Sequence, residues 1–158
     1  MKMNDVTKLA FSIALCLSIG FVGSVFTTPA IPTWYSSLNK PFFSPPDWIF
    51  SPVWTILFIL MGISFYILWD AGFKTTQAKI ARTFFMLQLG FNASWSMIFF
   101  GLKSPLFAFM EIVLLWIAIW FTIVTFRNIS KTSAYPLIPY LVWVSFAAVL
   151  NFSIYVMN

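Results

Sequence analysis

The sequence predicts an all-α membrane protein, a bundle of five transmembrane helices with a long Pro/Trp-rich loop between the first two. Three observations support this fold class: 61% of the 158 residues are hydrophobic, only 8% are charged, and the mean hydropathy is +0.91. A soluble domain carries about 25% charged residues, so a soluble protein of this composition could not cover its surface. We therefore expect a single domain, residues 1–158, with almost no chain outside the bilayer.

Charged residues divide the sequence into five apolar runs, each near the length of about 20 residues that crosses a bilayer. Because backbone groups in lipid must find hydrogen-bond partners within their own segment, we predict that all five runs are helices. The expected spans are about 7–27, 48–69, 81–102, 104–127 and 134–156.

The first run follows Lys2 and Lys8, so a cleaved signal peptide is the alternative to a retained helix. The run is longer than the usual apolar region of about 7–15 residues, and no small-x-small cleavage site follows it. These features favour a retained first helix.

The distribution of cations predicts the orientation. With five spans, one side of the membrane receives seven cations: Lys2, Lys8, Lys74, Lys79, Arg82, Arg127 and Lys131. The other side receives Lys40 and Lys103. The cation-rich side is expected to be cytoplasmic, which places the N-terminus inside a cell membrane and the C-terminus outside. Because the cations are scattered singly between apolar runs, a nucleic-acid partner is not expected.

The segment 28–47 contains five prolines and several aromatic residues and is predicted to be a loop outside the membrane. Such a loop is expected either to cover a site as a lid or to anchor the chain at the headgroup level, where Trp and Tyr are enriched. The sequence alone leaves both interpretations open.

The sequence contains no His and a single Cys, Cys16, so it lacks the usual ligands for zinc or haem and cannot form a disulfide within the chain. We expect no metal site and no cofactor. The sequence also lacks a His base and any Ser-His or Cys-His pair, so conventional acid–base or nucleophilic catalysis is not expected.

Helical spacing places aromatic and polar residues on three stripes, one on each of the second, third and fifth helices. These stripes are Trp54, Phe58, Met61 and Phe65; Gln88, Asn92, Trp95 and Phe99; and Tyr140, Trp143, Ala147 and Leu150. The stripes can enclose a flat apolar ligand. Alternatively, they pack against each other and the amides join helices.

Other residues suggest further contacts within the membrane. Glu111 is an acid inside the fourth run, where it is expected to be protonated, to pair with Lys103, to reach the interface or to meet a ligand. Small residues allow helices to approach closely in lipid. On this basis Gly90 and Ser94 predict a homodimer interface on the third helix, whereas a ladder of small residues on the first helix predicts packing within the bundle: Ser12, Cys16, Gly20 and Ser24.

A set of ordered motifs runs from about Gly20 to the end of the chain. These are WYSSLNKP at 34–41, PPDW at 45–48, SPVW at 51–54, LGFNASW at 89–95, FFG at 99–101, PYLVW at 139–143 and LN at 150–151. The set resembles the translocator protein family, also called tryptophan-rich sensory proteins or peripheral benzodiazepine receptors. The resemblance implies a five-helix bundle whose pocket opens beneath the first loop, and a protein that usually forms homodimers.

The resemblance also implies a receptor for porphyrins, notably protoporphyrin IX, and for flat drug-like benzodiazepine and isoquinoline carboxamide ligands, acting in the sensing or transport of tetrapyrroles. The positions that match the family's ligand site are Trp54, Asn92, Trp95, Trp143 and Ala147, with Ser24, Phe50, Phe107, Leu114 and Leu150 completing the wall.

Two alternative functions remain to be considered, and the sequence differs from the family in one motif. Some bacterial members are proposed to degrade porphyrin in light, in which case Trp54 and Trp143 would be the catalytic residues. A channel is disfavoured, because only one acid lies within an apolar run. The sterol motif of animal members is altered, with Phe152 in place of Tyr and Val156 in place of the basic residue. Cholesterol is therefore not expected as a ligand, and a bacterial member is favoured.

Overall fold

The computed structural model describes residues 4–72 and 74–158, and the regular structure within these ranges is helical. The long helices are α1 Asp5–Ala30, α2 Phe50–Ala71, α3 Thr76–Ser96, α4 Pro105–Ile129 and α6 Ile138–Met157. A short helix, α5, covers Lys131–Ala134. Single 3₁₀ turns, Asp47–Ile49 and Tyr135–Leu137, lead into α2 and α6, and π-helical turns, Ile31–Tyr35 and Met97–Gly101, extend α1 and α3. The all-α prediction is confirmed for the described residues.

Four helical segments are long and apolar enough to cross a bilayer: Asp5–Tyr35, Asp47–Ala71, Pro105–Ile129 and Lys131–Met157. The third helix is not among them. Its first turns carry Lys79 and Arg82, and its buried face carries the amides of Gln88 and Asn92. These polar side chains lower the average hydropathy of α3, although its length is 21 residues. The apolar segments make this chain a membrane protein.

The helices form a closed ring. Helix α1 packs against α2 and α3, α3 packs against α4, and α4 packs against α6. The ring closes where α2 meets α5 and the 3₁₀ turn before α6, while α2 and α6 themselves make few contacts. Space therefore remains between α2 and α6 in the other half of the bundle.

Aromatic packing closes the half of the bundle near α5. The rings of Phe65 and Phe85 are stacked with centroids 4.7 Å apart, and Phe126 lies 5.7 Å from Phe85. The Ser64 hydroxyl donates a hydrogen bond of 2.6 Å to the Ser133 carbonyl, which ties α2 to α5. These contacts join α2, α3, α4 and α5, so the interior at this end is filled.

The loop between the first two long helices is shorter than the predicted segment 28–47. Residues 28–35 continue the first helix, and only residues 38–46 lack helical structure. Pro29 lies inside α1, and Pro32 occupies the start of the π-helical turn. Proline lacks a backbone N–H and normally ends a helix, but the wider π turn lets the chain stay helical here.

Candidate functional site

A cavity of about 360 Å³ lies in the half of the bundle opposite α5. Side chains from α1, α2, α3 and α6 line it, together with the π-helical turns that extend α1 and α3. Helix α4 contributes no lining residue among those described. The volume lies within the range of about 300–1,000 Å³ that is typical of sites for small ligands.

Eight of the ten residues predicted for the site line this cavity. They come from four different helices and are Ser24, Phe50, Trp54, Asn92, Trp95, Trp143, Ala147 and Leu150. Part of each predicted stripe therefore faces a common space, whereas Met61, Phe65, Gln88 and Tyr140 are buried outside it.

The expectation that Phe107 and Leu114 complete the wall is corrected by their positions. Their side chains are 62% and 51% exposed on the outer face of α4. The residues are seven apart, two helical turns, so they share one face. Helix α4 buries a different face, which includes Glu111 and Leu115, against the bundle.

Tryptophan rings from three helices provide flat apolar walls. The Trp95 ring stacks on Phe99 with centroids 5.2 Å apart and an interplanar angle of 19°. Trp54 lies 5.7 Å from the ring of Phe58, which also lines the cavity. On the facing helix, Trp143 meets the edge of Phe50 at 6.1 Å. Neighbouring rings thus hold each tryptophan in place.

Hydrogen bonds orient two of the polar groups on the wall. The Asn92 amide donates to the hydroxyl of buried Tyr140 at 2.9 Å. The Trp95 indole donates to Asn151 Oδ1 at 3.1 Å, and Asn151 Nδ2 donates to the Pro105 carbonyl at 2.8 Å. By contrast, the buried Trp143 indole nitrogen has no hydrogen-bond partner among the described residues.

Several lining residues were not among those predicted, and Tyr35 was missed because the segment 28–47 was expected to be a loop. Tyr35, in the π-helical turn, is buried and lines the cavity. The Lys40 ammonium lies 4.4 Å from the centroid of its ring, a cation–π contact. Phe100 and Asn151 also line the cavity. Their positions within the FFG and LN motifs were the available signal.

The cavity opens sideways between α1 and α2. The lining residues on this side are exposed, including Phe21, Ser24 and Thr28 of α1 and Ser51 and Thr55 of α2. Phe21 alone is 71% exposed. The opening therefore lies on the side of the bundle, between two helices that are long and apolar enough to cross a bilayer.

Glu111 lies apart from the cavity. It is 7% exposed, and the Ser94 hydroxyl donates to its Oε1 at 2.9 Å. Lys8 forms ion pairs with Asp5 and Asp70, and among the described residues Glu111 and Lys103 do not form one. No group of three His, Cys, Asp or Glu residues in those ranges could hold a metal ion.

Comparison with known proteins gives the family. The sequence model of the TspO/MBR family matches residues 12–157, nearly the whole chain. The chain belongs to this family. The Tryptophan-rich protein TspO of Archaeoglobus fulgidus is 47% identical over 154 residues, which cover 98% of this chain and 99% of the relative. The protein of the same name from Chlorobaculum tepidum is 46% identical over 155 residues, covering 98% of both chains.

The similarity extends to animal members of the TspO/MBR family. The Translocator protein of Homo sapiens is 34% identical over 151 residues, which cover 95% of this chain and 89% of the human protein. These matches confirm the resemblance that the motifs indicated.

Proposed function

We propose that this chain binds a flat, mostly apolar tetrapyrrole, protoporphyrin IX in the first instance, and acts in the sensing or transport of tetrapyrroles. The observation that carries the proposal is the cavity itself, where Trp54, Trp95 and Trp143 from three helices line one space. Aromatic walls with a few placed polar groups suit such a ligand. Two relatives are named Tryptophan-rich sensory protein and Translocator protein, and both names fit a membrane protein that handles a ligand. Drug-like benzodiazepine and isoquinoline carboxamide ligands are proposed to use the same cavity.

The polar groups suggest how a porphyrin would sit. Its macrocycle would lie against the tryptophan walls formed by Trp54, Trp95 and Trp143. Lys40, held above the Tyr35 ring, would attract a propionate at the edge of the cavity. This arrangement keeps the ligand's charged groups near water and its rings among apolar side chains.

A titration of the purified protein with protoporphyrin IX, haem and a sterol tests the proposal. Protoporphyrin IX should quench tryptophan fluorescence with saturation, whereas the sterol should compete weakly. Trp143→Phe should weaken binding, and Trp120→Phe, on the exposed face of α4, is the matched control. Equal affinities for wild type and Trp143→Phe, or binding that does not saturate, would argue against this cavity as the site.

A second candidate function is the light-dependent oxidation of protoporphyrin IX by dissolved oxygen. The position of Trp54 and Trp143 on the same cavity favours it, because indole rings beside an excited porphyrin can relay electrons from the porphyrin to dissolved oxygen, so that the porphyrin is oxidised and the oxygen is reduced. Illumination of the complex should remove the Soret band and give a discrete product. Trp54→Phe or Trp143→Phe should abolish that product, and equal bleaching without protein would remove this candidate.

The proposed topology has five crossings, with the N-terminus in the cytoplasm and the 38–46 loop outside. It requires α3 to cross the bilayer as well, with Gln88 and Asn92 turned inward, as their burial suggests. In a Cys16→Ser background, an impermeant thiol reagent added outside should label Ser37→Cys and not Lys74→Cys. The reverse pattern would invert the topology.

A homodimer is proposed to form through the outer face of α3. A groove there is lined by Met86, Gly90, Phe91 and Ser94 among others, and a Cβ at Gly90 would meet nothing within 4 Å. Small residues on an outer face permit a second helix to approach closely. Gly90→Leu should convert the detergent-solubilised dimer to a monomer, and an unchanged oligomer would place the interface elsewhere.

A further inference from the structure

A fully exposed aromatic ring lies at the tip of the loop between the first two long helices. The Phe42 side chain is the most exposed large apolar side chain among the described residues. Its neighbour Phe43 turns the other way and packs against Phe146 of α6, with ring centroids 6.3 Å apart. The Ser44 N–H donates to the Pro41 carbonyl at 3.0 Å, which closes a turn around the two rings. This turn directs Phe42 away from the bundle.

Hydrogen bonds fix the position of the loop along the bundle. Asn39 bonds to Met157 and to Asn158, at the end of α6. Helix α6 has 20 residues and is therefore about 30 Å long, which is also the thickness of the hydrocarbon core of a bilayer. Its outer face stays apolar up to its last turn, where Val149 and Val156 are both more than half exposed. In a bilayer, the end of α6 and the attached loop would therefore lie at the boundary between acyl chains and headgroups.

A second exposed aromatic ring lies at the same end of the bundle. Trp48 is 73% exposed in the 3₁₀ turn that leads into α2, six residues after Phe42. Farther along α2, Ile56 is 57% exposed, so the outer apolar surface of this helix begins close to Trp48. Tryptophan is enriched at membrane–water interfaces because its ring is apolar and its N–H is polar. The two rings therefore continue the apolar outer surface of the bundle to its end.

We propose that Phe42 and Trp48 anchor the loop 38–46 in the interfacial layer of the bilayer, with lipid headgroups and the upper acyl chains as the partner. Aromatic side chains of interfacial segments enter the boundary between headgroups and acyl chains to a depth of about 5–10 Å. Lipid would hold the loop on its outer side, while Phe43 and Asn39 hold it to α6 on the inner side. The inference does not depend on which ligand the cavity accepts.

The other interpretation of this segment is a lid over the cavity. A lid would turn side chains toward the cavity, yet none of the residues 38–46 lines it. The lining residues nearest to the loop belong to helical turns instead, namely Ile31 and Tyr35 before it and Asp47 after it. A lid also gives no reason for the outward direction of Phe42, whereas an interfacial anchor accounts for it.

Fluorescence quenching in lipid nanodiscs tests the proposal. In a Cys16→Ser background, a nitrobenzoxadiazole label is attached at Phe42→Cys. The same label at Gln77→Cys, exposed in the first turn of α3 at the opposite end of the bundle, is the reference for water. The label at Val149→Cys, exposed on α6, is the reference for lipid. We expect a nitroxide on the phosphatidylcholine headgroup to quench Phe42→Cys more strongly than Gln77→Cys, and a nitroxide deep in the acyl chain to quench Val149→Cys most.

Two outcomes of this measurement would overturn the proposal. In the first, aqueous iodide quenches the labels at Phe42→Cys and Gln77→Cys equally, and neither lipid nitroxide quenches Phe42→Cys more than Gln77→Cys. The loop tip would then lie in water. In the second, the Phe42→Cys label is protected from iodide and from both nitroxides, so that protein rather than lipid covers it.

Variants without a label give an independent measurement. Because Phe42 is fully exposed, Phe42→Ser removes no contact with the bundle core. In nanodiscs, the backbone amides of residues 42 and 43 should exchange hydrogen several-fold faster in Phe42→Ser than in the wild type. Phe42→Trp, which keeps an interfacial ring, should restore the slow exchange. Equal exchange rates in the wild type and Phe42→Ser would contradict an anchoring role for this ring.

Discussion

Asn158, at the end of α6, and Asn39, in the loop 38–46, form two hydrogen bonds with each other. The Asn39 backbone N–H donates to Asn158 Oδ1 at 2.9 Å, and Asn158 Nδ2 donates to the Asn39 carbonyl at 3.0 Å. A third bond runs from Asn39 Nδ2 to the Met157 carbonyl at 3.3 Å. The loop 38–46 is therefore fastened to the end of α6, the helix that carries Trp143 on the cavity wall.

Asn158→Ala should release this loop. It removes both hydrogen bonds to Asn39 and a third to the Ile154 carbonyl of its own helix. Each is worth roughly 0.5–1.5 kcal/mol net, and a loss of about 1 kcal/mol corresponds to about a fivefold larger open population of the loop. Chymotryptic cleavage after Phe42, whose side chain is fully exposed, should accelerate by about that factor. Ser153→Ala, whose hydroxyl bonds only to its own helix, is the control. Equal cleavage rates in the two variants would show that the pair does not hold the loop.

Asn151→Leu should destabilise the bundle. Asn151 is 2% exposed and connects Trp95 Nε1 to the Pro105 carbonyl. Leucine has a similar size but leaves both groups unpaired, at a cost of roughly 1–3 kcal/mol for each buried group. Thermal unfolding in detergent should show a lower Tm. In a Trp95→Phe background, Asn151→Leu should lower Tm by less, since the indole donor that it would leave unpaired is then absent. If the Tm losses of the two substitutions simply add, Asn151 does not connect Trp95 to the Pro105 carbonyl.

Gly62→Ala should push α1 and α2 apart. A Cβ at Gly62 would lie 2.6 Å from the Ile13 Cα, a backbone atom that cannot rotate away. Overpacking of this kind typically costs about 1–3 kcal/mol. Ala14→Ser, which adds one atom on the exposed face of α1, is the matched control. If the two variants unfold at the same temperature, the close approach of α1 and α2 is not maintained in solution.

Much of this architecture could be predicted because apolar runs and helical spacing are local properties of the chain. Trp54, Asn92 and Trp143 reach one cavity because each lies on a stripe with a clear period, and the family motifs mark the same positions. The predictions that were wrong depend on contacts between distant parts of the chain. Phe107 and Leu114 are apolar in lipid as well as in a core, so hydropathy cannot tell which face of α4 turns outward.

The π-helical turns could not be predicted for a related reason. Pro29 and Pro32 indicate a loop by residue type alone. The chain nevertheless stays helical from α1 through the π-helical turn to Tyr35, because that turn packs against the π-helical turn of α3. Edge-to-face contacts at 5.4 Å between Trp34 and Phe99 and at 6.2 Å between Tyr35 and Phe99 join the two turns. That support comes from residues more than sixty positions away, and no pattern within either segment reveals it.

Glu111 variants should separate a structural role from a role in ligand binding. Glu111→Gln keeps an oxygen that can accept from Ser94 and should leave Tm nearly unchanged, whereas Glu111→Ala should lower it, by roughly 1–3 kcal/mol in unfolding free energy, through a lost hydrogen bond and a cavity. Neither should alter the affinity for protoporphyrin IX in folded protein, because Glu111 does not line the cavity. A tenfold weaker affinity in Glu111→Gln at unchanged Tm would instead indicate a direct contact with the ligand.

Ala147→Phe should block the cavity. Ala147 is 8% exposed and lines the cavity on α6, one turn beyond Trp143. A phenyl ring there would occupy a large part of a space of about 360 Å³, so a flat ligand would have to displace it or bind elsewhere. We expect the affinity for protoporphyrin IX to fall at least about tenfold, which corresponds to about 1.4 kcal/mol. Ala14→Phe, on the exposed face of α1 outside the cavity, controls for an added ring, and Tm measurements separate blocking from unfolding. Retention of wild-type affinity by folded Ala147→Phe would mean that porphyrin binds outside this cavity, and the outer groove along α3 would then be the next surface to test.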